Sequence, residues 1–155
     1  MMKYTKLLVM SLLLAGAWPV LAADDPRFVS KITLPSGQTV VVAEGDFEAR
    51  SIGSVSVRTY EAADEPNETT FFMDGLILPR DGVLDKVLLA DTTGDQQPEI
   101  IVLARSVGTG NFLSATAIAV TDKQLVLSAA VTGLAADADP VAALRQASAK
   151  AKSGI

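Results

Sequence analysis

Downstream of residue 27 the chain is a succession of short apolar runs, each closed by turn-forming residues, and this rhythm restricts the fold more than any other feature. Ser54 to Tyr60 displays it best: Val55, Val57 and Thr59 fall on one face and Ser56, Arg58 and Tyr60 on the other. A period of two sends alternate side chains to opposite faces of a strand. The same reading predicts strands over Phe28 to Leu34, ended by Pro35-Ser36-Gly37, and over Thr39 to Ala43, ended by Glu44-Gly45-Asp46. Further strands are expected over Thr70 to Leu78, Val83 to Ala90, Glu99 to Ser106, Phe112 to Val120 and Gln124 to Val131. Pro79-Arg80-Asp81-Gly82 has Pro early and Gly late, which predicts a tight turn joining its two flanking strands as a hairpin. Thr121-Asp122-Lys123 predicts a second hairpin. The end of the chain changes character. Asp139 can cap and Pro140 suits the first helical position, so VAALRQASAKAK reads as a short helix with a thin stripe of Val141, Leu144 and Ala147 or Ser148. The pattern as a whole is an all-β antiparallel domain of about eight strands with a short C-terminal helix.

The first 22 residues are of another kind. Lys3 and Lys6 precede an apolar stretch from Leu7 to Trp18, Pro19 breaks it, and Val20-Leu21-Ala22 offers small or modest side chains for cleavage. This is the make-up of a secretory signal peptide, and the stretch is shorter than the about 20 residues a membrane-spanning helix needs. Residues 1–22 are therefore expected to be removed and residues 23–155 to form one domain. The chain has no cysteine, so an acylated lipoprotein is excluded and the exported domain relies on its core without disulfides. The expected destination is the periplasm.

Charge and missing residue types narrow the function. Of thirteen basic residues two lie in the leader, so eleven face 18 acids in the mature chain. That balance argues against nucleic acid and anionic membrane, both of which call for clustered Lys and Arg. Histidine is absent, which removes the commonest general base near neutral pH and the commonest metal ligand. Zinc sites, Ser-His-Asp triads and Cys-His dyads are ruled out, and no cofactor is expected.

Two segments stand out. Asp91-Thr-Thr-Gly94-Asp95-Gln-Gln-Pro98-Glu99 has the flavour of a calcium loop, but its third position is Thr93 where such loops place an oxygen-rich side chain. A turn in which Asp91 or Asp95 bonds the backbone explains it better, and no metal site is assigned. The other is Arg105-Ser106-Val107-Gly108-Thr109-Gly110-Asn111-Phe112, set between two strongly apolar strands. Its glycines permit a tight protruding tip, with a hydroxyl at Thr109 and an aromatic ring three residues later; on the pattern alone, a plain hairpin turn with Phe112 folded into the core is the better reading. A phosphate cradle is a poor reading, because no helix follows it.

The stretches VVAEGDFEARSIGSVSVRTY, GLILPRDGVLDKVLLADTTGD, PEIIVLARSVGTGNFLSA and ADADPVAALR, in this order and spacing, resemble the periplasmic inhibitors of invertebrate-type (i-type) lysozyme. The resemblance runs from about Gly37 to Leu144 and implies an antiparallel β-sandwich, assembled as a homodimer, that is not an enzyme. Its partner would be an i-type lysozyme, whose cleft receives a loop carrying a Ser and, three residues on, a Tyr. Thr109 and Phe112 occupy those positions. Thr keeps a hydroxyl and adds a methyl; Phe keeps the ring and drops the phenolic OH. The resemblance thus marks Arg105, Ser106, Gly108, Thr109, Gly110, Asn111 and Phe112 as the lysozyme-binding loop. Phe112 would serve as apolar anchor, Gly108 and Gly110 would set the loop shape, and Arg105 and Asn111 would add rim hydrogen bonds.

Two rival classes are less well supported. A periplasmic glycan- or peptidoglycan-binding module would stack sugars on exposed rings, yet the mature chain has no Trp, only Tyr60 and five Phe. A carboxylate glycosidase needs only Asp and Glu, but no acid sits in a context that suggests a raised pKa.

Overall fold

The computed structural model describes residues 26–65 and 68–153; the leader, residues 1–22, lies outside the described residues. β1 (Val29–Thr33), β2 (Thr39–Glu44), β3 (Ile52–Tyr60) and β4 (Phe72–Asp81) form one antiparallel sheet in chain order. β5 (Val83–Ala90), β6 (Glu99–Arg105), β7 (Leu113–Thr121) and β8 (Gln124–Leu134) form a second, again in chain order, and α1 (Pro140–Ser153) follows. Among the described residues no helix is long and apolar enough to cross a membrane.

Alternation decides what each sheet buries. On β3, Val55, Val57 and Thr59 are buried while Arg58 is exposed, as the period of two requires. Val40 and Val42 from β2 join Val55 and Val57, and across the gap they meet Leu84, Ile100, Val102, Ile118 and Leu125 of the second sheet. Each such side chain contributes about 1.5–3 kcal/mol when fully buried. The second sheet is also covered on its outer face. There Ile101, Leu103, Leu113, Ala115 and Ala117 pack with Leu144 of α1, so β6 is buried on both sides. The helix begins as expected: the Asp139 carboxylate accepts the N–H groups of Val141 and Ala142, at 2.9 and 3.1 Å, and Leu144 and Ser148 are its buried residues.

One expectation fails. Residues 79–82 do not turn a hairpin, for β4 continues through Asp81 and β5 belongs to the other sheet. Pro79 is tolerated because β4 is an edge strand, where a missing N–H leaves no ladder bond unmade. Gly82, at φ 93°, carries the chain round the corner between sheets. By contrast the β7–β8 hairpin forms where expected, with Asp122 and Lys123 both at positive φ, the backbone a two-residue hairpin turn needs.

Arg80 explains why the chain crosses here. Its side chain is buried among acceptors. Nη1 donates to Arg50 O at 2.8 Å and also to Gly82 O, Nη2 to Ala49 O at 3.1 Å, and Nε to Ser54 O at 3.3 Å. The carboxylates of Glu44 and Glu48 stand 3.8 and 4.0 Å away. Glu44, buried on β2, also accepts the Leu84 N–H of β5 at 2.8 Å, linking the two sheets; at the other end Asp74 of β4 accepts the Leu125 N–H of β8 at 2.7 Å. Removing one member of a buried ion pair strands the other, so Arg80→Met is expected to lower unfolding free energy by about 3–5 kcal/mol in urea titration. Glu48 gives a pH test. The Ser54 N–H and then the Ser54 hydroxyl, at 2.5 and 2.7 Å, hold its carboxyl below the ordinary value of 4.5, helped by Arg80 and Arg27. A depressed folded pKa means that this stabilisation is complete above pH 4.5 and disappears as pH falls through the folded value. Melting temperature should therefore drop below about pH 4.5, and Glu48→Gln should flatten part of that drop.

Candidate functional site

Residues 106–112 leave β6 and return to β7 as a closed, protruding loop. The Ser106 N–H donates to Phe112 O, and the Phe112 N–H donates to Ser106 Oγ, both at 2.9 Å. These two bonds cinch the neck. Within the loop Asn111 N–H reaches Gly108 O at 3.4 Å, with Asn111 at φ 43° and Gly108 at φ 147°. Residues 107–112 are exposed, Thr109 at the tip. Phe112 lies outside the core, 52% exposed, with its ring folded over Gly110 where a side chain would otherwise stand. A hydroxyl and a ring are thus presented together on a loop whose neck is locked.

The base of the loop is tied to three other segments. Arg105 Nε donates to Asp85 Oδ2 at 2.9 Å and Nη1 to Ala136 O at 3.1 Å. The guanidinium expected at the binding rim therefore spans β5 and the β8–α1 connection. Asp85 reaches it because the β5–β6 register shifts between Leu84 and Lys86; a bulge re-aims the residue it leaves unpaired. Gly82 presses on the same place: a Cβ there would collide with the Arg105 carbonyl.

Next to this base lies the connection between β2 and β3. Glu48 O accepts from Arg27, Ala49 O and Arg50 O accept from Arg80, and Ser51 O accepts the Gly82 N–H at 2.8 Å. Phe47, at φ 59°, stands at its tip and is fully exposed. Sequence reading passed over Phe47 and Asp85, and gave Gly82 only the role of closing a hairpin turn. A lone ring among polar residues in EGDFEARS and the charged pair interrupting GVLDKVLL were the available signals.

The acidic segment sits at the far end of the sheet. Asp91 accepts N–H groups from Gly94, Gln96 and Thr93 at 2.6, 3.0 and 3.1 Å, and the Gly94 bond leads in holding its carboxyl below the ordinary 3.8. Asp95 accepts the Gln97 N–H and Glu99 the Thr92 N–H, at 2.9 and 2.6 Å. The carboxylate oxygens of Asp91, Asp95 and Glu99 lie within 4.8 Å of one another, but their bonding is that of a turn. A cleft of about 420 Å³ beside it, lined by Pro35, Gln38, Gln97 and Thr121 among others, has no aromatic wall. The same holds for a 390 Å³ cleft between the sheets near Ile52, Ser114 and Thr132.

Residues 26–148 match the family described as periplasmic lysozyme inhibitor of I-type lysozyme. The chain belongs to this family. Two solved structures of an inhibitor of this family, from Aeromonas hydrophila, are similar to the chain, each with 43% identity, a TM-score of 0.70 and 76% of this chain covered. In one the inhibitor stands alone and 98% of it is covered; in the other it is in complex with Meretrix lusoria lysozyme and 95% is covered. No curated protein matches the chain. Members of this family are protein inhibitors, not enzymes.

For this inhibitor the crowding at Gly82 makes a quantitative comparison. Gly82 and Gly94 both have positive φ, but a Cβ on Gly94 meets nothing within 4 Å. Gly94→Ala should lose about 1 kcal/mol from backbone conformation alone, and Gly82→Ala about 1–3 kcal/mol more from overpacking, read by urea unfolding. Equal losses would mean the crossover does not press on the loop base.

Proposed function

We infer that this inhibitor blocks an i-type lysozyme by inserting residues 106–112 into the enzyme's cleft, with the Thr109 hydroxyl leading. The observation that carries this is the exposed Thr109 on a neck cinched by the Ser106–Phe112 bonds. Such enzymes hydrolyse glycosidic bonds with two carboxyl groups flanking the scissile position. A hydroxyl donates to the ionised carboxylate and accepts from the protonated general acid, displacing both water and sugar. The locked neck lowers the ordering entropy that association must overcome, and the Phe112 ring adds apolar area beside the hydroxyl, as interface anchors do. Gly110 leaves room for that ring, and Arg105 holds the base through Asp85 and Ala136. No step requires a base, metal or cofactor from the inhibitor.

Export and assembly complete the reading. Residues 1–22 act as a leader, so the periplasmic protein begins at Ala23, a start that N-terminal sequencing of the secreted form would identify. The protein works as a homodimer; the outer face of the first sheet, where Ile77 is 73% exposed, suits a second copy, while α1 covers the other sheet. Sedimentation of the mature protein at twice the monomer mass, and of Ile77→Asp at the monomer mass, is the expected result.

Thr109→Ala should raise the inhibition constant against an i-type lysozyme about tenfold or more, with melting temperature unchanged, because a loop-tip hydroxyl contributes little to stability. Thr109→Ser keeps the hydroxyl and should inhibit like the parent. Unchanged inhibition by the Ala variant would remove Thr109 from the mechanism. A peptidoglycan pull-down distinguishes the glycan-binding alternative, which the ring-free clefts disfavour.

A further inference from the structure

We propose that the loop between β2 and β3 is a second contact element for the lysozyme, with the Phe47 ring docking beside the cleft that receives Thr109. The proposal rests on the inhibitory reading above and adds a partner-binding residue to it.

Hydrogen bonds hold both sides of the loop and leave its tip projecting. Four consecutive carbonyls, those of Glu48, Ala49, Arg50 and Ser51, each accept a hydrogen bond from Arg27, Arg80 or Gly82. On the other side the Gly45 N–H donates to Ser54 O at 3.1 Å, and the Glu48 carboxylate holds Ser54. Asp46 and Phe47 are left projecting. Phe47 adopts φ 59°, a region that bulky residues rarely occupy, and its side chain is completely open to water. Both features work against the free protein: the backbone is strained and a large apolar surface is hydrated. Strained backbone persists where surrounding structure over-determines it, and such places cluster at ligand clamps. A ring held out by a rigid loop is also the form of an interface anchor, since little motion is lost when it docks.

Position names the partner. Ser51 O and the Arg105 carbonyl both abut Gly82. Phe47 lies four residues from Ser51 and Thr109 four from Arg105, so each tip reaches no more than about 14 Å from a residue that abuts Gly82. One side of a standard protein interface covers about 800 Å², a patch about 30 Å across, enough to reach both arms from their shared base. A lysozyme with Thr109 in its cleft therefore meets the Phe47 loop with the adjacent rim, and the ring takes an apolar depression there.

The test uses the mature protein and an i-type lysozyme, with Phe47→Ala, Phe47→Trp and Thr109→Ala measured together for inhibition constant, melting temperature and sedimentation. Phe47→Ala should raise the inhibition constant about tenfold, with melting temperature and sedimentation like the parent's. Phe47→Trp, which keeps a ring, should inhibit within about threefold of the parent. If Thr109→Ala is impaired and Phe47→Ala inhibits like the parent, the second contact falls and the inhibitory reading stands. A Phe47→Ala variant that sediments as a smaller species assigns the ring to a second copy of the chain and overturns the proposal. Failure of the parent itself to inhibit overturns both.

Discussion

A guanidinium carries five N–H donors in one plane, and in this protein the one on Arg80 finds four backbone carbonyls and two carboxylates around it. Taking such a charge out of water costs several kcal/mol, and the cost is recovered only when nearly every donor is satisfied. Meeting that demand draws three segments together. The β2–β3 loop supplies Ala49 and Arg50, β3 supplies Ser54, and the crossover supplies Gly82. Glu44 closes the arrangement by accepting the Leu84 N–H near the start of β5. The corner where the chain passes between sheets is therefore electrostatic, while the layers themselves are held by Val, Ile and Leu.

This corner also carries both loops proposed to meet the lysozyme. Gly82 touches the base of the loop at 106–112 and donates to Ser51 at the base of the Phe47 loop. Rigidity that begins at Arg80 is thus handed to both projecting elements. The opposite end has its own order, in which Asp91, Asp95 and Glu99 satisfy turn N–H groups and Arg145 and Lys152 of α1 donate to the carbonyls of Asp91 and Thr93. There the charged groups bind their own backbone; at the end that carries Gly82 a hydroxyl and two rings face outward.

Much of the architecture was legible in the residues. Alternation at Ser54 to Tyr60 marked the buried face correctly, Asp139 and Pro140 marked the helix start, and Leu144 marked its buried stripe, because each depends on neighbours within a few positions. Asp91 was correctly read as a turn former for the same reason. The Pro79–Gly82 segment misled, since its turn chemistry suits a hairpin; the outcome depends on the acceptors that Arg80 meets some 30 residues back in the chain. Arg105 was expected at the rim of the Gly-rich loop; that the β5 bulge brings Asp85 to it had no signal in the local pattern. Phe47 carried no periodic signal at all.

By itself, then, the sequence determined the number and approximate placement of the strands, the inward faces, the capped helix and the cysteine-free and histidine-free chemistry, all set by local spacing and composition. Only the tertiary structure decided that β4 and β5 part into different sheets, that Arg105 is tied to Asp85 and Ala136, and that Phe47 stands on the same end of the sandwich as Thr109. Those outcomes rest on hydrogen bonds and ion pairs between residues far apart in the chain, and a buried donor takes whichever acceptor the folded packing brings within reach.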